Sequence, residues 1–410
     1  MLGRGWWMMM AGVSVALWAP AVVAAPPATL APSTVLIDAT SGQVLRDHDA
    51  DRSLAPGALN QLMLVLLSVE QAALGAVQLE APVVVSEALL TEPPPVADVP
   101  RPVAGKAAAG RKPPPAPSGD PVGLPRRVPL QTGRSYGLGD LLKAVVVSSA
   151  PDAAVATANA VGGSVAGCVD LMNARAQKLG MTGTRYASIN GEWRGDAGGD
   201  DVTTARDLAR LAQALVSHRE VLDWASLNGL PFDDGSSVLR NVNLLLGRVP
   251  GVDGLQVASV QGRAAGAPRH HVVATAQRGA LRLIAVVVGA ASSAHRYSAA
   301  AELLEWGFAT YERVDIVRAG ESLSVPIRIR NGTLSQVTPV AGGSVSLLRR
   351  RGEERQVQVR YQLPGVVIAP VTRDQAVGEL IVEEDGQLVA VVPVLSPSAV
   401  GVSGILATAQ

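Results

Sequence analysis

The chain has 410 residues, of which 48% are hydrophobic, 17% are charged and only 3% are aromatic. This length accommodates two ordinary domains, and the composition favours packed cores of Val, Leu and Ala over a disordered chain. The formal net charge of zero argues against nucleic acid as the main partner. With Cys168 as the single cysteine, an internal disulfide and a cysteine metal cage are both excluded.

The first 24 residues have the character of a secretory signal peptide. Arg4 supplies a positive charge, residues 6–23 carry none, and the small residues Val22 and Ala24 fit cleavage after Ala24. We therefore expect an exported, periplasmic protein that has no stable membrane anchor once the signal is cleaved. An uncleaved signal anchor is the less favoured alternative, because the apolar run is almost long enough to span a bilayer.

The next segments predict two strands, a helix and an insertion. Residues 34–47 predict two strands around a T-S-G-Q turn, and residues 56–76 have Leu and Met at helical spacing after Pro56. Residues 93–129 contain 12 of the chain's 28 prolines and no sustained periodicity. They predict an extended, disordered insertion. This insertion is either inert or a contact segment for an envelope protein partner. Such a partner would be anionic or would recognise proline.

Beyond the insertion, helical patterns are followed by strand patterns. Amphipathic helices are predicted at residues 137–148, 165–180, 202–217 and 296–311. Strands are predicted at residues 252–260, 269–277 and 281–290, the last apolar enough to be buried on both faces. From 314 to 396, short strands alternate with Gly, Pro and Asp turns, which is typical of a small all-β domain. Residues 397–410, without Lys or Arg, predict a flexible tail rather than a basic amphipathic membrane helix.

Several stretches between Thr34 and Pro393 follow one another in an order that resembles a single family. They are V-L-I-D-A-T-S-G-Q-V-L leading into A-P-G-A-L-N-Q-L-M, then D-L-L-K-A-V-V-V-S-S-A-P-D, V-D-L-M-N-A-R-A-Q-K-L-G-M-T-G-T and R-N-V-N-L-L-L-G-R-V-P-G-V-D-G-L. The series resembles the serine D-alanyl-D-alanine carboxypeptidases, which are low-molecular-mass penicillin-binding proteins. The resemblance implies an α/β (α+β) domain of the β-lactamase/transpeptidase type at 25–313. Its antiparallel sheet would be flanked by helices, and a small all-β sandwich domain would follow at 314–396.

Members of this family are known for three motifs that form one active site. In S-x-x-K, the lysine amine takes the proton of the serine hydroxyl, because residues three apart share one face of a helix. In S-x-N, serine helps to transfer protons and asparagine orients the substrate. In K-T-G, lysine adds positive charge and threonine binds the substrate's terminal carboxylate. Together the motifs remove the last D-alanine from peptidoglycan stem peptides through an acyl-enzyme.

Every motif departs from the family pattern in this chain. The matching stretches place Ala58 and Gln61 in the first motif, Ser149 and Pro151 in the second, and Gln256, Val257 and Ala258 in the third. Alanine has no Oγ that could form an ester, and a glutamine amide cannot act as a base near neutral pH. Proline has neither an amide side chain nor a backbone N–H. The third motif has lost its positive charge and its hydroxyl, so no catalytic motif is intact.

No other reading of the sequence restores this chemistry. None of the four lysines follows a serine at a distance of three residues, and none begins K-T-G; they are Lys106, Lys112, Lys143 and Lys178. S-x-N strings occur at 188–190 and 226–228, outside the second-motif context, and are interpreted as chance. His270 and His271 are interpreted as packing or solvated histidines. Because no spaced metal set and no phosphate-binding glycine loop occurs, no metal or cofactor is expected.

The leading hypothesis is an inactive homologue of the carboxypeptidases with a binding or scaffolding role in peptidoglycan and cell-envelope metabolism. The strand at 255–260 could still pair with an extended stem peptide. Its affinity should be weak, because the substrate carboxylate has lost its cationic and hydroxyl partners. One alternative is an envelope partner protein that does not bind peptidoglycan and uses residues 93–129 and the β domain as contact surfaces. The other is an active serine-type D-Ala-D-Ala carboxypeptidase that works by an unrecognised route.

Overall fold

The computed structural model describes five parts of the chain. They are residue 27 and residues 31–87, 127–191, 201–260 and 269–403. The predicted signal peptide lies outside the described residues, and so does most of the predicted insertion. Val128 is described: its side chain is buried, and its N–H donates to Oδ1 of Asp152 at 3.2 Å. The predicted insertion therefore extends too far at its C-terminal end, where the core takes up an aliphatic side chain.

A five-stranded antiparallel sheet forms the centre of the first domain. The described strands of this domain are β1 (Ser33–Asp38), β2 (Val44–His48), β3 (Pro82–Val84), β4 (Ser135–Gly137), β5 (Gly229–Phe232), β6 (Ser237–Arg240), β7 (Val252–Val260), β8 (Arg269–Arg278) and β9 (Leu281–Ala290). The strand order in the large sheet is β2-β1-β9-β8-β7. In the middle strand, β9, every residue except Arg282 is buried. The prediction of a strand buried on both faces is confirmed, and β7 lies at the sheet edge.

Helices cover both faces of this sheet. They are α1 (Gln61–Ala73), α2 (Leu138–Ser148), α3 (Pro151–Gly162), α4 (Val165–Lys178), α5 (Ala205–Leu215), α6 (Arg219–Ala225) and α7 (Ser293–Thr310). Helices α1 to α6 enclose a large apolar core on one face, and α7 packs over the other. Among the described residues, no single helix is long and apolar enough to cross a membrane, although the α3–α4 pair, bent by 79°, meets the length and composition criteria together.

Three local features bring the predicted motif positions to one place. A 3-10 turn at Gly57–Asn60 precedes α1 and lies against β7, so closely that a Cβ on Gly57 would be 2.4 Å from Val260 Cγ2. Ser149 adopts a left-handed conformation with φ of 55° and separates α2 from α3. Pro151 then occupies the first turn of α3, where no backbone N–H is needed. The sequence patterns predicted α2 and α4 at nearly these bounds, but they did not predict α3 or the left-handed residue before it.

The C-terminal domain is built entirely from strands. They are β10 (Tyr311–Val317), β11 (Ile327–Arg330), β12 (Gln336–Val337), β13 (Val340–Ala341), β14 (Val345–Arg350), β15 (Val357–Gln362), β16 (Val366–Ile368), β17 (Ala376–Glu384) and β18 (Gln387–Leu395). They form sheets of order β10-β14, β12-β11-β16 and β13-β18-β17-β15 around one aliphatic core. The predicted class, a helix-flanked antiparallel α/β domain followed by a small all-β domain, is confirmed.

The end of the β domain corrects the predicted tail. Val400 is fully buried and pairs with Val371, and Val402 pairs with Gly332. Residues 397–402 are therefore part of the folded domain, because Val400 enters its core and the backbone pairs with neighbouring loops. This segment had been predicted to be flexible. The remaining tail residues, 404–410, lie outside the described part of the chain.

Candidate active site

Side chains from all three motif positions meet in one hydrogen-bond network. Ser149 Oγ donates to Gln61 Oε1 at 3.0 Å, and Gln256 Nε2 donates to the same oxygen at 2.8 Å. Gln256 Nε2 also lies 3.1 Å from Ser149 Oγ. Gln61 and Gln256 are buried, with exposed fractions of 0% and 1%. Residues 88 to 195 positions apart in the sequence are thus joined by their side chains.

Asn190 is the fourth member of this network, and sequence reasoning missed it. Gln61 Nε2 donates to Asn190 Oδ1 at 2.8 Å, and Asn190 Nδ2 donates to the carbonyl of Pro151 at 3.3 Å. The S-x-N string that ends at Asn190 was interpreted as chance, and for Asn190 that interpretation is wrong. We call Gln61, Ser149, Gln256 and Asn190 the motif network.

A glycine contact could have indicated the position of Asn190. Gly191, the next residue, has a φ of 67° and lies so close to the first motif that a Cβ there would be 1.9 Å from the Gly57 carbonyl oxygen. Only glycine permits this approach. The Asn-Gly pair therefore brings the loop that carries Asn190 over the 3-10 turn before α1.

The remaining motif positions contribute no side-chain hydrogen bond to the network. Ala58 lies half-buried in the 3-10 turn and packs against the α1 side of the core. Val257 and Ala258 are buried on opposite faces of the sheet, Val257 in the core beneath α7 and Ala258 in the core that contains α1. Of the three residues in the third motif, Gln256 alone turns its side chain to the motif network. Pro151 takes part through its backbone carbonyl.

A second network, which we call the Asp201 network, holds the loop that carries Asn190. Asp201 Oδ1 accepts from Asn60 Nδ2 at 2.6 Å and from the N–H groups of Ala187 and Ser188 at 2.7 and 3.1 Å. Its Oδ2 accepts from Ser188 Oγ at 2.7 Å. Asn60 and Gln61 are neighbours in the chain, so the two networks meet at the start of α1.

The surroundings of the motif network contain a buried cation and a neutral histidine. Arg296 is 1% exposed, donates to the Ala258 carbonyl at 2.8 Å and lies over the Tyr297 ring. His271 accepts the N–H of Gly289 at its Nδ1. Burial, and then the nearby Arg296, lower the pKa of His271 to about 3. His270 is buried as well, with its Nδ1 3.0 Å from Ser259 Oγ, so neither histidine is solvated.

This arrangement can form hydrogen bonds but offers no ionised group for proton transfer. The motif network consists of three amides and one hydroxyl, whose side chains bond to one another and to the Pro151 carbonyl. Gln256 Oε1 is buried without a hydrogen-bond partner in the described structure. No group of three His, Cys, Asp or Glu side chains in the described residues could hold a metal ion. The site resembles the active site of a serine acyl-transferase in its layout, with amides at both lysine positions.

The fold resembles that of penicillin-binding proteins, and sequence comparison gives the family. Residues 123–292 match the family model of D-alanyl-D-alanine carboxypeptidase, and residues 311–401 match that of penicillin-binding protein 5, C-terminal domain. The chain is 31% identical over 386 residues to D-alanyl-D-alanine carboxypeptidase DacC of Escherichia coli K12, covering 92% of this chain and 88% of that protein. The chain therefore belongs to the D-alanyl-D-alanine carboxypeptidase family.

Other relatives and solved structures agree with this assignment. D-alanyl-D-alanine carboxypeptidase DacF of Bacillus subtilis 168 is 24% identical over 89% of this chain and 84% of its own length. Penicillin-binding protein 6B of Escherichia coli has a similar structure, with a TM-score of 0.63 and 25% identity over 91% of this chain and 97% of its own. Penicillin-binding protein 5 of Haemophilus influenzae shares the fold, with a TM-score of 0.62 and 23% identity over 92% of this chain and 99% of its own. The match to the carboxypeptidase model begins after the stretch that contains Ala58 and Gln61.

Proposed function

We propose that this protein is a catalytically inactive homologue of the D-alanyl-D-alanine carboxypeptidases with a binding or scaffolding role in peptidoglycan and cell-envelope metabolism. The observation that supports the proposal most is the pair Gln61 and Gln256, which occupy both lysine positions and bond to each other. A lysine amine can accept the proton of a serine hydroxyl, but an amide cannot. With alanine at position 58, the nucleophilic oxygen is missing as well.

The same arrangement supports weak recognition of stem peptides. Strand β7 lies at the edge of the described sheet, where an extended peptide could add as a further strand. A substrate carboxylate would meet amides where the family supplies lysine and threonine, so a charge-assisted hydrogen bond is lost. We therefore propose binding without turnover. For its location we propose the periplasm, on the evidence of the predicted signal peptide at residues 1–24.

Labelling with a fluorescent penicillin tests the absence of a nucleophile. We expect no covalent label on this protein under conditions in which the Escherichia coli relative DacC, run in parallel, is labelled. We also expect no release of D-alanine from a peptide that ends in D-Ala-D-Ala. Stoichiometric label or turnover by the unaltered protein would favour the active-enzyme alternative instead.

Binding to purified peptidoglycan tests the remaining role. We expect sedimentation with sacculi that weakens when an extended peptide ending in D-Ala-D-Ala is added in excess. The matched variant is Ser259→Pro, which removes a backbone N–H from the edge strand at an exposed position and should weaken this sedimentation while the β domain stays unchanged. If the protein fails to sediment with sacculi at all, the partner protein that does not bind peptidoglycan becomes the better hypothesis.

A further inference from the structure

The β domain exposes more large hydrophobic side chains than the first domain does. Of the fourteen described residues of this kind, nine lie beyond residue 311. Scattered exposure of single aliphatic residues needs no explanation, but a contiguous patch indicates a contact surface. Only those of the nine that lie next to one another could form such a patch.

Two pairs of neighbours lie on the outer face of the β12-β11-β16 sheet. In the parallel pairing of β11 with β16, Arg328 lies beside Val366 and Arg330 lies beside Ile368. Ile368 is 63% exposed and Val366 40%. The intervening residue Ile329 points into the core, as the alternation of a strand requires. We call Arg328, Arg330, Val366 and Ile368 the Arg328 face.

Exposed aliphatic residues continue onto the adjoining loops. Leu334 follows β11 in the turn to β12, and Val402 pairs with Gly332 in the same turn. Both side chains are at least half exposed. The apolar part of the surface therefore extends beyond the Arg328 face towards the end of the described chain.

The two arginines of the Arg328 face have no acidic residue on their own sheet. This sheet is built from residues 327–330, 336–337 and 366–368, which pair with one another. These strands contain Arg328 and Arg330 and no aspartate or glutamate, and the nearby Arg373 is paired with Asp374. In a chain whose formal net charge is zero, this is a local excess of positive charge next to exposed aliphatic side chains.

We propose that the Arg328 face binds the surface of an anionic phospholipid bilayer. Guanidinium groups pair with lipid phosphates, and the aliphatic side chains beside them enter the boundary between headgroups and acyl chains. A soluble anionic polymer would engage the arginines alone and leave the aliphatic residues in water, so the combination favours a bilayer. With two arginines on the face, the contact is reversible and depends on ionic strength.

This proposal is independent of the catalytic state of the first domain. The Arg328 face belongs to the C-terminal domain, and none of its residues takes part in the motif network. A protein that turned out to release D-alanine could still bind a bilayer through this face, and the two proposals therefore fail separately.

Co-sedimentation with vesicles tests the proposal. The protein is residues 25–410, which retain every described residue and lack the apolar N-terminal run. The vesicles contain equal parts of phosphatidylglycerol and phosphatidylcholine, with pure phosphatidylcholine as the neutral comparison. We expect binding to the anionic vesicles at low salt and little binding to the neutral ones. Arg328→Glu/Arg330→Glu should lower partitioning by about twentyfold, and Val366→Ser/Ile368→Ser by at least about threefold.

Matched controls separate this surface from general effects of charge and hydrophobicity. Arg219→Glu/Arg248→Glu makes the same change in net charge on exposed residues of the first domain. Leu388→Ser/Val391→Ser removes exposed aliphatic side chains from β18, outside the Arg328 face. We expect both to bind the anionic vesicles like the unaltered protein. Equal binding by the Arg328→Glu/Arg330→Glu variant, equal binding to both vesicle types, or sedimentation with sacculi but not with vesicles would each overturn the proposal.

Discussion

The motif network and the Asp201 network lie side by side but differ in charge. Asn60 belongs to the second and Gln61 to the first, although they are consecutive residues. The Asp201 carboxylate gathers four described donors, whereas the motif network contains amides and a hydroxyl alone. A buried carboxylate with several donors is a charged anchor whose loss leaves those donors unpaired. The Asp201 network therefore has an acidic side chain at its centre, whereas the motif network has none.

Removing the charged anchor should have the largest effect. Asp201→Ala leaves donors of Asn60, Ala187 and Ser188 without their acceptor and should lower the free energy of unfolding by about 3 kcal/mol. Urea denaturation of the purified protein measures this. Ser188→Ala is the matched control, since it removes one donor and should cost about 1 kcal/mol. Equal losses for the two variants would contradict the role of Asp201 as the anchor.

Placing a charged side chain in the motif network should lower the free energy of unfolding somewhat less than Asp201→Ala does. Gln61→Lys places an ammonium among amides at a fully buried position, and near pH 7 it should destabilise the protein by about 2 kcal/mol more than Gln61→Met, which has similar length and no charge.

The pH dependence of this pair of variants identifies the cause. Burial would lower the pKa of the new lysine below its unfolded value, so the unfolded state binds more protons and stability rises with pH. The gap between Gln61→Lys and Gln61→Met should therefore narrow as the pH is raised towards about 10. A gap that is the same at pH 7 and pH 10 would show that lost packing, and not charge, is responsible.

The effect of pH on stability tests whether His271, on the strand next to Gln256, is also kept neutral by burial. Its pKa is lowered to about 3 in the folded protein. At a pH below its pKa in the unfolded chain, the unfolded state therefore binds one more proton, and the free energy of unfolding decreases as the pH falls. Between pH 6.5 and pH 5, this histidine should lower the free energy of unfolding by about 2 kcal/mol. Urea denaturation across that range measures the slope. His271→Asn should flatten it, while His48→Asn, at an exposed position, should leave it unchanged.

The smallest effect concerns the coupling within the motif network. The losses in the free energy of unfolding caused by Gln61→Ala and Gln256→Ala should be less than additive in the double variant. We expect a coupling free energy of about 1 kcal/mol, because each substitution removes the same hydrogen bond. The double-mutant cycle is measured by urea denaturation. Gln61→Ala combined with Ser188→Ala provides the comparison and should be close to additive. Additivity in both cycles would mean that the two glutamines are neighbours without a stabilising bond.

Elements with a strong apolar pattern were predicted well, and those without one were not. The strand at 281–290 was placed correctly because nine of its ten residues are buried and only Arg282 is charged. Helix α6 and the β5–β6 hairpin were missed, since seven and four residues are too short to establish a period. Val128 and Val400 were assigned to mobile segments, because composition gives the character of a segment and not the contact that an individual side chain finds.

The sequence by itself determined the family resemblance, the order of elements and the identity of the residues at each motif position. Those are local properties, carried by residue type and spacing. The tertiary structure alone decided that Gln61 and Gln256 bond to each other across 195 positions and that Asn190 joins them. It likewise decided that two arginines and two aliphatic residues share one outer face. Hydrogen-bond partners and surface neighbours this far apart in the chain are chosen by packing, which no local pattern encodes.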